Sequence, residues 1–145
     1  MHDIPRQLTF DKLAELFEGR TRLVEKLAAE DDPLGSARDV IAQLSEDEKL
    51  EALNAHPAIG AKNLSARSAS EQGGDADPVV LTELAYLNQV YEEKFGFRFV
   101  VFVNRRSKAE ILDVLRERLE RSREEELDTA VEELVAIAED RWRRS

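Results

Sequence analysis

Only one stretch of this chain, Phe97-Arg98-Phe99-Val100-Val101-Phe102-Val103, has the aromatic and β-branched make-up of a strand. No second convincing strand exists for it to pair with. A lone extended segment cannot form a sheet, so its N–H and C=O groups must find other partners if it is buried. A ligand with amide-like edges would be one such partner. Everything around the segment reads as helix. The expectation is an all-α fold: 1–145 as a single domain, a bundle of about seven to nine helices with one extended segment at 97–103.

Helix boundaries are written in local signals. Thr9 can cap a helix through Phe17, with Phe10, Leu13, Leu16 and Phe17 on one face and Gly19 placed for its C-terminal cap. A second helix from Thr21 buries Leu23, Val24 and Leu27 and ends at Asp31-Asp32-Pro33. Ser36 caps a short third helix with Val40, Ile41 and Leu44 inward. Ser45-Glu46-Asp47-Glu48 is a capping box whose helix carries Leu50 and Leu53 straight into His56-Pro57. Asp77-Pro78 opens a helix to about Lys94 that sets Leu81, Leu84, Ala85, Asn88 and Tyr91 along one side, and Gly96 ends it.

Ser107-Lys108-Ala109-Glu110 is another capping box; its helix uses Ile111, Leu112, Leu115 and Leu119, with arginines and glutamates outward. The last helix, from about Glu124, repeats Leu127, Ala130, Val131, Leu134, Ile137 and Ala138 at helical spacing, and Arg141 continues that stripe. A buried arginine there needs an anionic or hydrogen-bonding partner. Residues 1–8 read as loose. Residues 57–77, rich in Gly, Ser, Ala and Asn, read as a loop with one helical turn near Leu64. Structureless loops of that length in compact domains are usually functional or disordered.

Composition narrows the chemistry. A net charge of -10 argues against nucleic acid, which is bound by neutralising phosphates. There is no cysteine, and His2 and His56 are the only histidines, so neither a thiolate nucleophile nor a multi-histidine metal site can be built within one chain. No apolar run suffices to span a membrane and no secretory leader is visible, which makes a cytoplasmic location the default.

What remains is His56. Proline pushes the residue before it out of the α region, so His56 is presented at a helix end. There the helix dipole favours a charged imidazole, by up to about 2 kcal/mol if partly buried. Glu71 follows on irregular backbone, between Ser68 and Gln72. A histidine and a carboxylate off the helices, framed by helical sequence, look like a small acid/base site. Each feature also has a blander reading. His56 can be a structural helix end, Ser68 to Gln72 a solvated loop, Arg141 a residue answering the helix dipole, and 97–103 plain core.

Taken in order, His56-Pro57 with Ile59-Gly60, then Ser68-x-x-Glu71-Gln72, then Leu87-Asn88-x-x-Tyr91-x-x-Lys94-Phe95-Gly96-Phe97-x-Phe99-Val100, resemble the OHCU decarboxylases. These enzymes act on 2-oxo-4-hydroxy-4-carboxy-5-ureidoimidazoline in purine breakdown. The likeness runs from about Phe10 to Arg141. It implies an all-helical fold, no cofactor and no metal, a small-molecule substrate, a homodimer, and release of carbon dioxide to give (S)-allantoin. It further implies His56 as catalytic acid, with Pro57 beside the substrate and Glu71 essential. Ser68 and Gln72 would be substrate contacts and Arg141 the C-terminal active-site arginine. Backbone hydrogen bonds to the substrate would come from Phe99, Val100, Val101, Phe102 and Val103.

The chain departs from the family pattern at Arg98, where proline is common, and in the residues after His56-Pro57 and at 73–77. These departures bear on loop geometry more than on chemistry. Leu112, Leu115 and Leu119 could serve either core or a dimer interface. The competing reading is a non-enzymatic helical protein-interaction module, which would have no reason to converge His56, Glu71 and Arg141.

Overall fold

The structure of the protein, a computed structural model, describes residues 8–57 and 77–144. Within them run seven helices: α1 (Phe10–Leu16), α2 (Arg22–Ala28), α3 (Ala37–Ala42), α4 (Glu46–Asn54), α5 (Pro78–Phe95), α6 (Lys108–Leu119) and α7 (Arg123–Arg144). No strand occurs among the described residues, so the all-α expectation holds. The turn expected near Leu64 and residues 1–7 of the 1–8 stretch expected to be loose lie outside the described residues; Leu8 is described and packs against the core. No helix among those described is long and apolar enough to cross a membrane.

Most helix starts follow the local signals. The side chains of Thr9, Thr21 and Asp77 accept N–H bonds from Lys12, Val24 and Val79. Both expected capping boxes close, Ser45 with Glu48 and Ser107 with Glu110. A third, Ser122 with Glu125 at 3.1 Å in both directions, starts α7. Backbone N–H groups at these boxes hold the three glutamate carboxyls below their ordinary pKa.

Four local expectations are overturned. Ser36 does not cap α3, because its own backbone is already helical. The turn starts earlier, at Asp32, whose carbonyl takes the Ser36 N–H at 2.9 Å and whose carboxylate takes the Gly35 N–H at 3.2 Å. At the end of α1 the left-handed residue is Glu18, with φ 63°, rather than Gly19. Gly19 donates to the Ala14 carbonyl at 2.9 Å and Glu18 to that of Glu15, the paired bonds of a Schellman motif. Gly19 is needed for closeness, since a Cβ there would stand 3.0 Å from the Cβ of Ala55. On α5 the buried side is Leu84, Asn88, Tyr91 and Phe95, while Leu81 and Ala85 face outward. Finally, α6 turns one arginine inward: Arg118 is buried.

Helix α7 is the long element against which α1, α3 and α4 pack; α2 packs on α1, α3 and α4, and α5 pairs with α6. Leu127, Ala130, Val131, Leu134, Ile137 and Ala138 form its buried stripe as the spacing predicts. Leu112 and Leu115 are core residues, which settles one of the alternatives left open for them.

Residues 97–103 are extended and mostly buried. Side chains replace the missing sheet, three of them from helices and one, Arg106, from the loop before α6. The Arg98 N–H donates to Asn54 Oδ1 at 3.0 Å and the Phe102 N–H to Glu133 Oε1 at 3.3 Å. The Val100 carbonyl accepts from Arg118 at 2.8 Å, and the Phe102 carbonyl from Arg106 at 2.6 Å. Successive residues of an extended chain aim their N–H and C=O groups at opposite edges. The bonds at 98, 100 and 102 therefore occupy one edge. At the other edge, the backbone groups of Phe99 and Val101 make no hydrogen bond to any described residue. The segment has one tied edge and one edge that is open at Phe99 and Val101 among the described residues, its far end closed where the Val103 carbonyl accepts from the Arg106 N–H at 2.9 Å and Nε at 3.2 Å.

Candidate active site

His56 sits two residues beyond α4, its N–H reaching back to the Leu53 carbonyl at 3.2 Å in a last tightened turn before Pro57. The end of α1 packs directly against this point through the Gly19–Ala55 contact. The imidazole is buried, with 5% of the residue exposed. Its Nε2 has no hydrogen-bond partner among the described residues. A buried ring nitrogen left so is costly, on the order of 1–3 kcal/mol, and such atoms are rare in folded proteins.

Arg141, on the buried stripe of α7, is 3% exposed. It has the partners such burial requires. Its guanidinium donates to the Leu16 carbonyl at 3.0 Å and pairs with the Glu18 carboxylate at 3.2 Å. Leu16 is the last residue of α1, whose terminal carbonyls have no partner within the helix. One arginine thus joins the two ends of the chain, and the strained φ of Glu18 brings its carboxylate to that arginine.

These charges decide the state of the imidazole. Burial first, and then the positive charge of Arg141, push His56 down to about 4; Glu18 acts in the opposite sense, and Arg98 adds to the lowering. Relative to 6.5, that shift is worth about 3 kcal/mol. It exceeds the helix dipole's contribution of up to about 2 kcal/mol, so the expectation of a charged imidazole at the helix end is overturned. With its pKa lowered to about 4, His56 is neutral at pH 7.

A stability consequence follows. Between pH 6.5 and about 4 the unfolded chain binds a proton at His56 that the folded chain excludes. This contribution is complete above the unfolded value and is lost as pH falls towards the folded one. Between pH 7 and pH 5 the wild type should lose about 2 kcal/mol that His56→Asn does not lose. Urea midpoints of both proteins at the two pH values check this; parallel losses would show that the imidazole does not titrate as described.

The structure therefore brings His56, Pro57 and Arg141 into one neighbourhood, while Ser68, Glu71 and Gln72 lie outside the described residues. Two members of that neighbourhood were missed by the sequence reading. Glu18 gives no signal, because an adjacent glycine attracts the capping role. Arg98 shows one, as a lone cation between Phe97 and Phe99 in an apolar run. Its guanidinium donates to the His56 carbonyl at 2.5 Å.

Comparison with known proteins adds to this geometry. The OHCU decarboxylase family matches residues 2–143. Over an alignment of 115 positions that covers 72% of the chain, it is 37% identical to the uric acid degradation bifunctional protein TTL of Arabidopsis thaliana. It is 30% identical over 69% of its length to the 2-oxo-4-hydroxy-4-carboxy-5-ureidoimidazoline decarboxylase of Halalkalicoccus jeotgali. The matched stretch spans 36% of the plant protein and 60% of the archaeal one, under two thirds of both. A crystal structure of an OHCU decarboxylase in the presence of (S)-allantoin superposes with a TM-score of 0.76 at 30% identity, covering 88% of this chain and 92% of that one. With nearly the whole length matched in sequence and in fold, the chain belongs to the OHCU decarboxylase family.

Proposed function

We propose that the protein is a carboxy-lyase that converts 2-oxo-4-hydroxy-4-carboxy-5-ureidoimidazoline to (S)-allantoin without a cofactor. One observation carries the reading furthest. A buried imidazole whose Nε2 has no partner among the described residues stands beside a buried arginine, in a chain of this family. A relative solved in the presence of (S)-allantoin supports the choice of product.

The reaction breaks the bond between ring carbon 4 and its carboxylate. The electron pair left behind is taken up across the ring, the C4 hydroxyl becomes a carbonyl, and a proton arrives on the ureido-bearing carbon. One proton is consumed for each carbon dioxide released. The protein's tasks are to hold the ring, offset the negative charge and deliver that proton to one face. Arg141 supplies the positive charge. The substrate's own carboxylate, entering beside Arg141, offsets the cation that adds to burial in holding His56 neutral, and so favours proton uptake by the imidazole. That negative charge stays on the ring after carbon dioxide leaves, until His56 discharges it.

The open edge of residues 97–103 refines the substrate contacts. Phe99 and Val101 present backbone groups to the ring, while the Val100 carbonyl is engaged by Arg118, both backbone groups of Phe102 by Glu133 and Arg106, and the Val103 carbonyl by Arg106. In this reading Val100, Phe102 and Val103 shape the wall rather than bond the ligand. Glu71, with Ser68 and Gln72, would orient the ureido group, and Pro57 would pack beside the ring.

Circular dichroism of the product tests the proposal, with the substrate formed in situ from urate by an oxidase and a hydrolase. Rapid growth of an optically active allantoin signal, dependent on this protein, is the expected result. Decay to a signal-free racemate at the uncatalysed rate would rule the reading out.

A further inference from the structure

We propose that Arg98 is a positioning residue for His56, fixing where the imidazole stands by clasping the carbonyl of His56 and the last turn of α4. The inference rests on the reading of His56 as the proton-delivering group. Helix α4 ends with carbonyls that have no partner within the helix, and Pro57 has no N–H and stops the helix from continuing. Something outside the helix must hold that end.

Arg98 does so with three separate atoms. Its NH1 donates to the His56 carbonyl at 2.5 Å and lies 3.5 Å from that of Asn54. Its Nε donates to Glu92 Oε1 on α5 at 3.0 Å, which sets the plane of the guanidinium fork. Its backbone N–H donates to Asn54 Oδ1 at 3.0 Å, tying the extended segment to the same turn. The segment proposed to meet the substrate and the histidine proposed to protonate it are thereby locked to each other. The held carbonyl is one bond from the Cα that carries the imidazole.

Stability alone is a poor explanation for this clasp. The Arg98 and Glu92 side chains are 30% and 42% exposed, and ion pairs in such settings contribute about 0–1 kcal/mol. Position is where a small displacement matters, since misplacing a reacting group by about 1 Å can cost up to about 100-fold in rate. Lysine could keep the positive charge but not the fork, because one ammonium cannot serve Glu92 and the His56 carbonyl in this geometry. Charge and position are therefore separable by substitution.

The test compares wild type, Arg98→Lys, Arg98→Met and His56→Asn by the dichroism assay, by thermal midpoint, and by NMR of the imidazole through a pH titration. The chain has only two histidines, so loss of one signal in His56→Asn assigns the other. Arg98→Lys and Arg98→Met are both expected to lower kcat by about 10- to 100-fold with KM little changed and the thermal midpoint nearly kept. The His56 titration should stay in place in Arg98→Lys and move upward in Arg98→Met, where a nearby cation has been removed.

Wild-type kcat in both Arg98 variants would overturn the proposal. So would full activity in Arg98→Lys alone, which would reduce Arg98 to a charge. A loss of activity that only tracks a loss of folded protein would do the same. Turnover surviving in His56→Asn would instead overturn the underlying role of His56, whatever the Arg98 variants do.

Discussion

His56→Asn should lose roughly 10²- to 10⁴-fold in turnover, the range a positioned general acid supplies, and still fold. Asparagine at 56 keeps the chain compatible with the turn before Pro57, and no described side chain depends on the imidazole nitrogen, since Nε2 has no partner among them. Asparagine puts an amide where the ring stood, exchanging one polar group without a partner among the described residues for another, so little net change in stability follows. The variant is therefore expected to be inactive, as stable as wild type at pH 7, and more resistant to acid. That combination is what a residue retained for chemistry at the expense of stability should show. The dichroism assay and urea unfolding at two pH values read all three effects. An active variant, or one that is inactive only because it is unfolded, would contradict the assignment.

The largest effect on stability is expected on the other side of the extended segment. Glu126 is fully buried and holds three donors: Arg118 Nε at 2.8 Å, the Tyr91 hydroxyl at 2.5 Å and Arg121 NH1 at 3.1 Å. Arg118 in turn bonds the Val100 carbonyl and lies 4.6 Å over the ring of Phe99. Burial, and then the bond to Glu126, push the Tyr91 hydroxyl well above its ordinary range, so it stays a donor. Glu126→Ala leaves the Arg118 guanidinium buried without its anion, and such half-broken pairs cost about 3–5 kcal/mol. Against a total of about 5–15 kcal/mol for a domain, that is a large fraction.

The double variant Arg118→Met with Glu126→Leu should recover most of this loss, because no charge is then left buried. A double-mutant cycle by chemical denaturation measures the coupling directly. A single-variant loss below about 1 kcal/mol would mean that the pair is solvated rather than buried. Whatever stability returns, Val100 keeps no donor in the double variant. Its activity reports whether the tied edge of the segment matters to the open one.

The contrast between what could and could not be read in the sequence follows the range of the interactions. Thr9, Thr21, Ser45, Asp77 and Ser107 announce their helices because each cap bonds a backbone group two or three residues away. The apolar stripe of α7, and the place of Arg141 on it, follow from helical spacing alone. Residues 97–103 declare themselves extended and in need of partners by composition.

The identity of those partners is another matter. Val100 is held from 18 residues away, Phe102 from 31 and the Arg98 N–H from 44, by side chains that look solvent-facing in any local window. Arg118 reads as an outward arginine in the sequence for that reason. Glu18 takes the left-handed position beside Gly19, which is drawn instead into contact with Ala55, and no local preference signals that exchange.

The charge of His56 shows the same limit. By itself the sequence determined that a histidine stands at a helix end before a proline, and hence that the helix dipole favours its charged form. Only the tertiary structure decided that it is neutral at pH 7. Burial and the field of Arg141, 85 positions along the chain, outweigh the dipole because desolvation and charge proximity depend on what the fold brings together.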